Sequence, residues 1–183
     1  MSKEVKLHLG CGKRFIPGFI HIDAMEHPHV DYVQDISDLS NFSDESVDLV
    51  YACHVLEHFK RDDTQRILNE WARVLKLKGT IRLSVPDFES ICEIYQTHKD
   101  ISLIEGPVVG GQTNIYNFHY TVFDFKKIKN LLKNAGFSNI RRYDWRNTSH
   151  KLVDDYSQAY IPHMDKTNGK LISLNVEAER VFK

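Results

Sequence analysis

Several things are scarce in this chain, and each scarcity excludes a class. No apolar run approaches the roughly 18 residues of a membrane span, so none is expected. Only three cysteines occur (Cys11, Cys53 and Cys92), and they are scattered, which excludes a disulfide framework and a zinc ribbon. Neither charge is in excess. The 24 Lys plus Arg against 25 Asp plus Glu give a net charge of −1, unlike the basic surplus of a dedicated nucleic-acid binder. The start, Met1-Ser2-Lys3-Glu4-Val5, lacks the apolar stretch of a secretory signal, so a cytoplasmic location is expected. Internal repeats and low-complexity tracts are missing too. The chain has 183 residues, enough for one domain over 1–183 and not comfortably for two. Its hydrophobic fraction of 42% supports an ordinary core. What is abundant is histidine, with 10 copies.

The hydrophobic pattern alternates strands with helices. Val5–Leu9, Phe19–Asp23, Asp31–Asp35 and Val47–Ala52 read as four strands, the last largely apolar and so central. Ile67, Leu68, Trp71, Val74 and Leu75 recur at helical spacing, with Gly79 at the expected stop. Ile81–Val85 is a fifth strand, closed by Pro86. Asp87 is placed to cap a helix burying Phe88, Ile91 and Tyr95. Asp124 caps another, with Phe123 and Ile128 as a hydrophobic staple, Ile128, Leu131, Leu132 and Ala135 inward, and Gly136 at its end. Ile140–Trp145 and Ile172–Ala178 are late strands without a helix between them, which implies an antiparallel pair at one edge. The whole pattern is that of an α/β sheet with helices packed on it. Residues 106–120 and 147–169 have no period, and loops of that length are often lids or binding loops.

Leu9-Gly10-Cys11-Gly12 closes the first strand, where glycines permit a sharp turn and close backbone approach of a ligand. The full dinucleotide fingerprint needs a third glycine where Phe15 stands, which disfavours a nicotinamide or flavin oxidoreductase. Asp23 and Asp35 end the next two strands. A carboxylate there can accept from a ribose diol or an adenine amine, although turn residues are the commoner role of Asp. Together, Leu7–Gly12, Asp23, Asp48–His58 and Glu70–Gly79 resemble a class I S-adenosylmethionine-dependent methyltransferase, and more narrowly the small bacterial type-11 group. That resemblance implies a Rossmann-like fold with a seven-stranded, mostly parallel sheet whose last strand is antiparallel. It implies S-adenosylmethionine as cofactor. Leu9, Gly10, Cys11 and Gly12 would lie at its amino-acid end, Asp23 and Ala24 at the ribose, Asp35 and Ile36 at the adenine, and Ala52, Cys53 and His54 along the methionine side. One departure stands out. Only six residues, Lys13–Gly18, join the glycine turn to the second strand, too few for a crossover helix, so the first helix is reduced or missing.

Methyl transfer from a sulfonium mainly needs alignment, and a base is needed only where the acceptor loses a proton. His8 and His21 lie within strands and read as structural, His27 and His29 as solvated, and His98 as favoured at a helix C-terminus. His54, His58 and His119 fall on the carboxyl-end face, with His119 the first candidate base and His58 and His54 next. His54 and His58 are four apart, but no third ligand is placed by sequence, so no metal is expected. Asp154, Asp155, Tyr156, Tyr160 and His163 read as a solvated loop more than as acceptor contacts. Cys11 and Cys53 read as small packing residues. The expectation is O-methylation of a small molecule or sugar, without nucleic acid or membrane, and the oligomeric state is left open. The competing reading is a non-catalytic S-adenosylmethionine-binding subunit.

Overall fold

A computed structural model describes residues 4–181. Met1–Lys3, part of the start searched above for a secretory signal, lie outside them, as do residues 182–183. The strands are β1 (Lys6–Leu9), β2 (Ile20–Asp23), β3 (Tyr32–Val33), β4 (Val47–Cys53), β5 (Leu75–Pro86), β6 (Phe137–Arg142), β7 (Tyr160–Ile161), β8 (Lys170–Leu171) and β9 (Ser173–Arg180). The helices are α1 (Thr64–Val74), α2 (Phe88–His98), α3 (Glu105–Val109) and α4 (Phe125–Asn134). Seven strands form one sheet in the order β3-β2-β1-β4-β5-β9-β6, and β7 pairs with β8 apart from it. Within the large sheet only β9 is antiparallel to its neighbours, β5 and β6. This is the seven-stranded α/β sheet anticipated above.

Side-chain alternation sorts the sheet into two unlike faces. Leu7, Leu9, Val50, Ala52, Ile81, Leu83, Leu174 and Val176 point to one side. There α1 lays down Ile67, Leu68 and Trp71, and α4 lays down Ile128 and Leu132. The Trp71 indole donates to the Ile36 carbonyl at 2.8 Å, so the main core also fixes the loop after β3. The α4 start behaves as its sequence requires: Asp124 accepts from the Lys127 amide at 2.6 Å, and Phe123 and Ile128 are both buried.

The opposite face carries His8, His21, Tyr51, Cys53, Ser84 and Asn175, all buried. No helix follows β1. Lys13–Gly18 form turns, as the short spacing required. Residues 143–159, between β6 and β9, cover this face and bind it through polar groups. Tyr51 donates to Asp155 at 2.5 Å, Ser84 to Asn175 at 2.6 Å, and Asn175 to the Ser157 carbonyl at 2.8 Å. Ile16, Tyr51 and Cys53, with Phe19 and Val153 against them, form a small separate apolar cluster.

Three local expectations need correction. β5 begins at Leu75, directly from α1, and not after Gly79. Gly79 lies within the strand, where a Cβ would stand 2.8 Å from the Lys76 carbonyl oxygen, so it serves close backbone packing rather than a helix stop. In α2 the buried residues are Ser90, Ile91 and Ile94, while Phe88 and Tyr95 are exposed, because the helix packs on β8 and α3 rather than squarely on the sheet. β6 starts at Phe137 and stops at Arg142, and Trp145 opens a short 3-10 turn.

Candidate active site

Register aligns the carboxyl ends of the strands. Leu9 is opposite Ile22 in β2 and Ala52 in β4, and Asp23 is opposite Val33 in β3. At this edge the Gly10–Gly12 turn takes positive φ values, +62° and +51° at the two glycines. A Cβ on Gly10 would stand 2.5 Å from the Val55 side chain, so packing demands glycine there. A Cβ on Gly12 would meet nothing within 4 Å, so the space above that residue is open to a ligand. Asp23 is buried, and its two oxygens accept from the Gly12 amide at 2.7 Å and the Met25 amide at 2.8 Å. Those bonds aim the carboxylate along the turn and leave further lone pairs on each oxygen. Leu9, Ile36 and Ala52 lie in the main core, so only their backbone faces this edge. Asp35 is exposed and accepts from the Ser37 amide at 2.8 Å, as a turn aspartate does, and Ala24 is exposed. Burial pushes the Cys11 thiol up to about 12 and raises that of Cys53 as well, which suits packing and not nucleophilic chemistry.

Beside this edge lies a cavity of about 620 Å³. His54, His58 and His119 line it, together with Gly106 and Pro107 of α3 and Asn117 of the loop after it, and with Asp154, Asp155, Tyr156, Tyr160 and His163 from the segment running through β7. The second set was expected to be solvated. Asp155 and Tyr160 are instead buried, because residues 143–159 are tied to the helix-free face of the sheet.

The three histidines converge from two segments. His54 follows β4 in the left-handed region, φ +53°, a conformation costing about 1 kcal/mol in a non-glycine residue. Its amide donates to the Ser84 carbonyl at 2.8 Å, which holds the turn against β5. A 3-10 turn over Leu56–His58 then presents His58. His119 arrives on the loop before α4, which docks on that turn: the Tyr120 amide donates to the Glu57 carbonyl at 2.8 Å and the Thr121 hydroxyl to the Phe59 carbonyl at 3.0 Å. The His58 and His119 rings stand 4.8 Å apart, centroid to centroid. Each ring is fixed by a backbone carbonyl, His58 Nδ1 at 3.0 Å from Phe118 O and His119 Nδ1 at 3.0 Å from Pro107 O. Burial lowers His54 to about 3 and His119 to about 4 and also lowers His58, so all three rings are neutral near pH 7.

Glu57 had no role in the sequence reading. It is fully buried behind the rings, with its carboxyl Oε1 at 3.3 Å from His54 Nδ1 and 4.0 Å from His119 Nε2. Burial raises its carboxyl to about 8. The available signal was an acid set within Val55-Leu56-Glu57-His58-Phe59, where Val55, Leu56 and Phe59 are apolar. The lack of a third metal donor in sequence is also made good by the fold: Glu57, His58 and His119 each offer one within 4.8 Å of the others.

The remaining histidines divide. His8 and His21 are structural as expected, and His21 Nε2 accepts from the Ile16 amide at 2.9 Å. His29 is not simply solvated: its ring packs on that of His21 at 5.3 Å, as the reduced turn after β1 leaves room for it. His98 is exposed in the last turn of α2.

Comparison with known proteins bears on this arrangement. Residues 15–83 match the methyltransferase domain family. No curated protein matches the chain. Among solved structures, a methyltransferase from Methanosarcina mazei is similar at TM-score 0.61 and 16% identity, over 100% of this chain and 95% of its own. A Burkholderia thailandensis 1,6-didemethyltoxoflavin-N1-methyltransferase, holding its substrate and S-adenosylhomocysteine, is similar at 0.59 and 15%, over 97% and 71%. A methyltransferase from Haloferax volcanii, solved with the Trm112 activator, is similar at 0.58 and 16%, over 98% and 84%. The sheet order with its single antiparallel strand therefore defines a class I methyltransferase fold. The methyltransferase-domain match over residues 15–83 falls within that fold, which the chain shares with S-adenosylmethionine-dependent methyltransferases.

Proposed function

We propose that the protein is an S-adenosylmethionine-dependent methyltransferase that methylates a hydroxyl oxygen of a small-molecule or glycan acceptor bound in the 620 Å³ cavity. The observation that carries this is the placement of neutral His54, His58 and His119 along that cavity, next to the Gly10–Gly12 turn. When bound, S-adenosylmethionine supplies a methyl carbon already joined to a sulfonium leaving group. The open space above Gly12 and the buried Asp23 carboxylate fit such a ligand. Gly10, Cys11 and Gly12 would hold its amino-acid end through the backbone, Asp23 and Ala24 the ribose, Asp35 and Ile36 the adenine, and Leu9, Ala52, Cys53 and His54 the remaining wall.

His119 is the first choice for the group that takes the acceptor proton. Pro107 O can only accept, so Nδ1 carries the ring hydrogen and Nε2 the free lone pair. As the acceptor oxygen forms its bond to carbon, its hydrogen passes to Nε2. His58 and His54 are the next choices. Asp155, Tyr156 and Tyr160 give the cavity hydrogen-bonding and aromatic surface suited to a polar ring. We read 1–183 as one cytoplasmic domain, with acceptor choice made by residues 106–120 and 147–169. No helix among the described residues is long and apolar enough to cross a membrane.

Calorimetry against S-adenosylhomocysteine and NAD, then turnover with nucleotide sugars and small hydroxylated acceptors, tests this reading. Binding of the first ligand only, with turnover on a hydroxyl that falls by about 100-fold or more in His119→Ala, is the expected result. Binding without turnover on any acceptor would favour a non-catalytic cofactor-binding subunit.

A further inference from the structure

We propose that Glu57, His58 and His119 bind one divalent transition-metal ion, of the zinc, cobalt or manganese class, at the inner end of the acceptor cavity. Their donor atoms lie within 4.8 Å of one another, on two segments that backbone hydrogen bonds already lock together.

Two independent features point to a cation. First, neither carboxylate oxygen of Glu57 has a hydrogen-bond partner, and the residue is fully buried. Buried carboxylates are otherwise paired or coordinate metals. Second, the rings around it offer lone pairs and not hydrogens. His58 and His119 each spend Nδ1 on a backbone carbonyl, which leaves Nε2 unprotonated in the neutral ring. That is how metal-binding histidines are ordinarily oriented. His54 follows the same rule in mirror form. The Ser173 hydroxyl donates to the Tyr156 carbonyl, so it accepts from His54 Nε2 at 2.7 Å, and Nδ1 is left as a lone pair facing Glu57 Oε1 at 3.3 Å. Acceptors gather around a shared centre only when a proton or a cation sits between them. A single proton on Glu57 satisfies one of these contacts, whereas an ion satisfies the carboxylate and both imidazoles together.

The donor set selects the ion. Two imidazoles and one carboxylate suit zinc, cobalt and manganese, whereas calcium takes oxygen ligands and magnesium keeps several waters. His58 and His119 open on the cavity, so a further coordination position faces the acceptor. This rests on the acceptor-site reading above and deepens it. An acceptor hydroxyl bound to the ion loses its hydrogen more readily. With the ion bound, His119 Nε2 is a ligand and no longer takes the proton; the hydrogen goes instead to Nδ1 of His54, the ring the ion leaves free and the next choice of base above.

The test uses the full chain, stripped with a chelator, titrated with Zn²⁺ by calorimetry and with Co²⁺ by visible absorption. One equivalent of each is expected. Glu57→Gln and His119→Gln should each weaken Zn²⁺ by more than about tenfold, the loss seen when even the outer partners of metal ligands are removed. Should Glu57→Gln fail to fold, His119→Gln, on a loop, carries the test alone. Wild-type protein that takes up no ion, or variants that bind as wild type does, would overturn the site and leave Glu57 as a neutral acid. S-adenosylhomocysteine titrated into the same samples separates the two readings. Its binding without Zn²⁺ uptake defeats the metal alone; Zn²⁺ uptake without its binding defeats the cofactor site alone.

Discussion

Individual residues at the carboxyl edge carry opposite kinds of constraint. Gly10 and Gly12 look alike in sequence and differ in space. Gly10→Ala sets a Cβ against Val55 in a left-handed conformation, and should lower stability by about 2–4 kcal/mol in urea denaturation. Val55→Ala added to it should recover part of that loss. Gly12→Ala adds only the left-handed cost of about 1 kcal/mol, yet its methyl enters the space assigned to the cofactor. Its signature is S-adenosylhomocysteine affinity falling much more than stability. The sequence marked both glycines and named His54, His58 and His119. It could not weigh Glu57, because a carboxylate's burial depends on loops that reach it from 60 residues away.

At the scale of elements, the informative one is the stretch that is not helical. The segment 143–159 does for one sheet face what a crossover helix would do, and it does so with hydrogen bonds in place of apolar burial. Tyr51→Phe removes the 2.5 Å bond to Asp155 and leaves a buried acceptor short of its partner, at a cost of about 1–3 kcal/mol. Amide exchange should quicken across 143–159 while α1 and α4, on the other face, stay protected. Equal loosening of both faces would contradict this division. The missing helix was legible because six residues cannot make a crossover. What replaced it was not, since an aperiodic stretch carries no sign of what it will pack against. The same ignorance made Asp155 and Tyr160 look solvated.

Across the molecule, the histidine-rich face makes stability depend on acid. Burial holds His8 down to about 3 and lowers His21 and His150 too. Their pKa values fall below the unfolded 6.5, so the unfolded chain binds more protons between those limits. The stability they confer is complete above pH 6.5 and drains as pH falls below it, for His8 until about pH 3 and by up to about 1.4 kcal/mol per unit from that group. His8→Leu should flatten that slope in urea titrations from pH 7 to 4, since His8 Nδ1 has no hydrogen-bond partner to lose. A slope as steep as wild type would show that the acid sensitivity lies elsewhere.

The sequence by itself determined the sheet, because alternating and 3.6-residue patterns are local consequences of which side chains water rejects. It also determined the glycine turn and the carboxylate that ends β2, because strand ends and turn chemistry are short-range. Only the tertiary structure decided that Glu57 is sealed behind three lone-pair-bearing rings, that residues 143–159 cover the bare face, and that two aperiodic loops close one cavity. Those outcomes rest on desolvation and on hydrogen bonds between distant segments, and neither leaves a periodic trace in the chain.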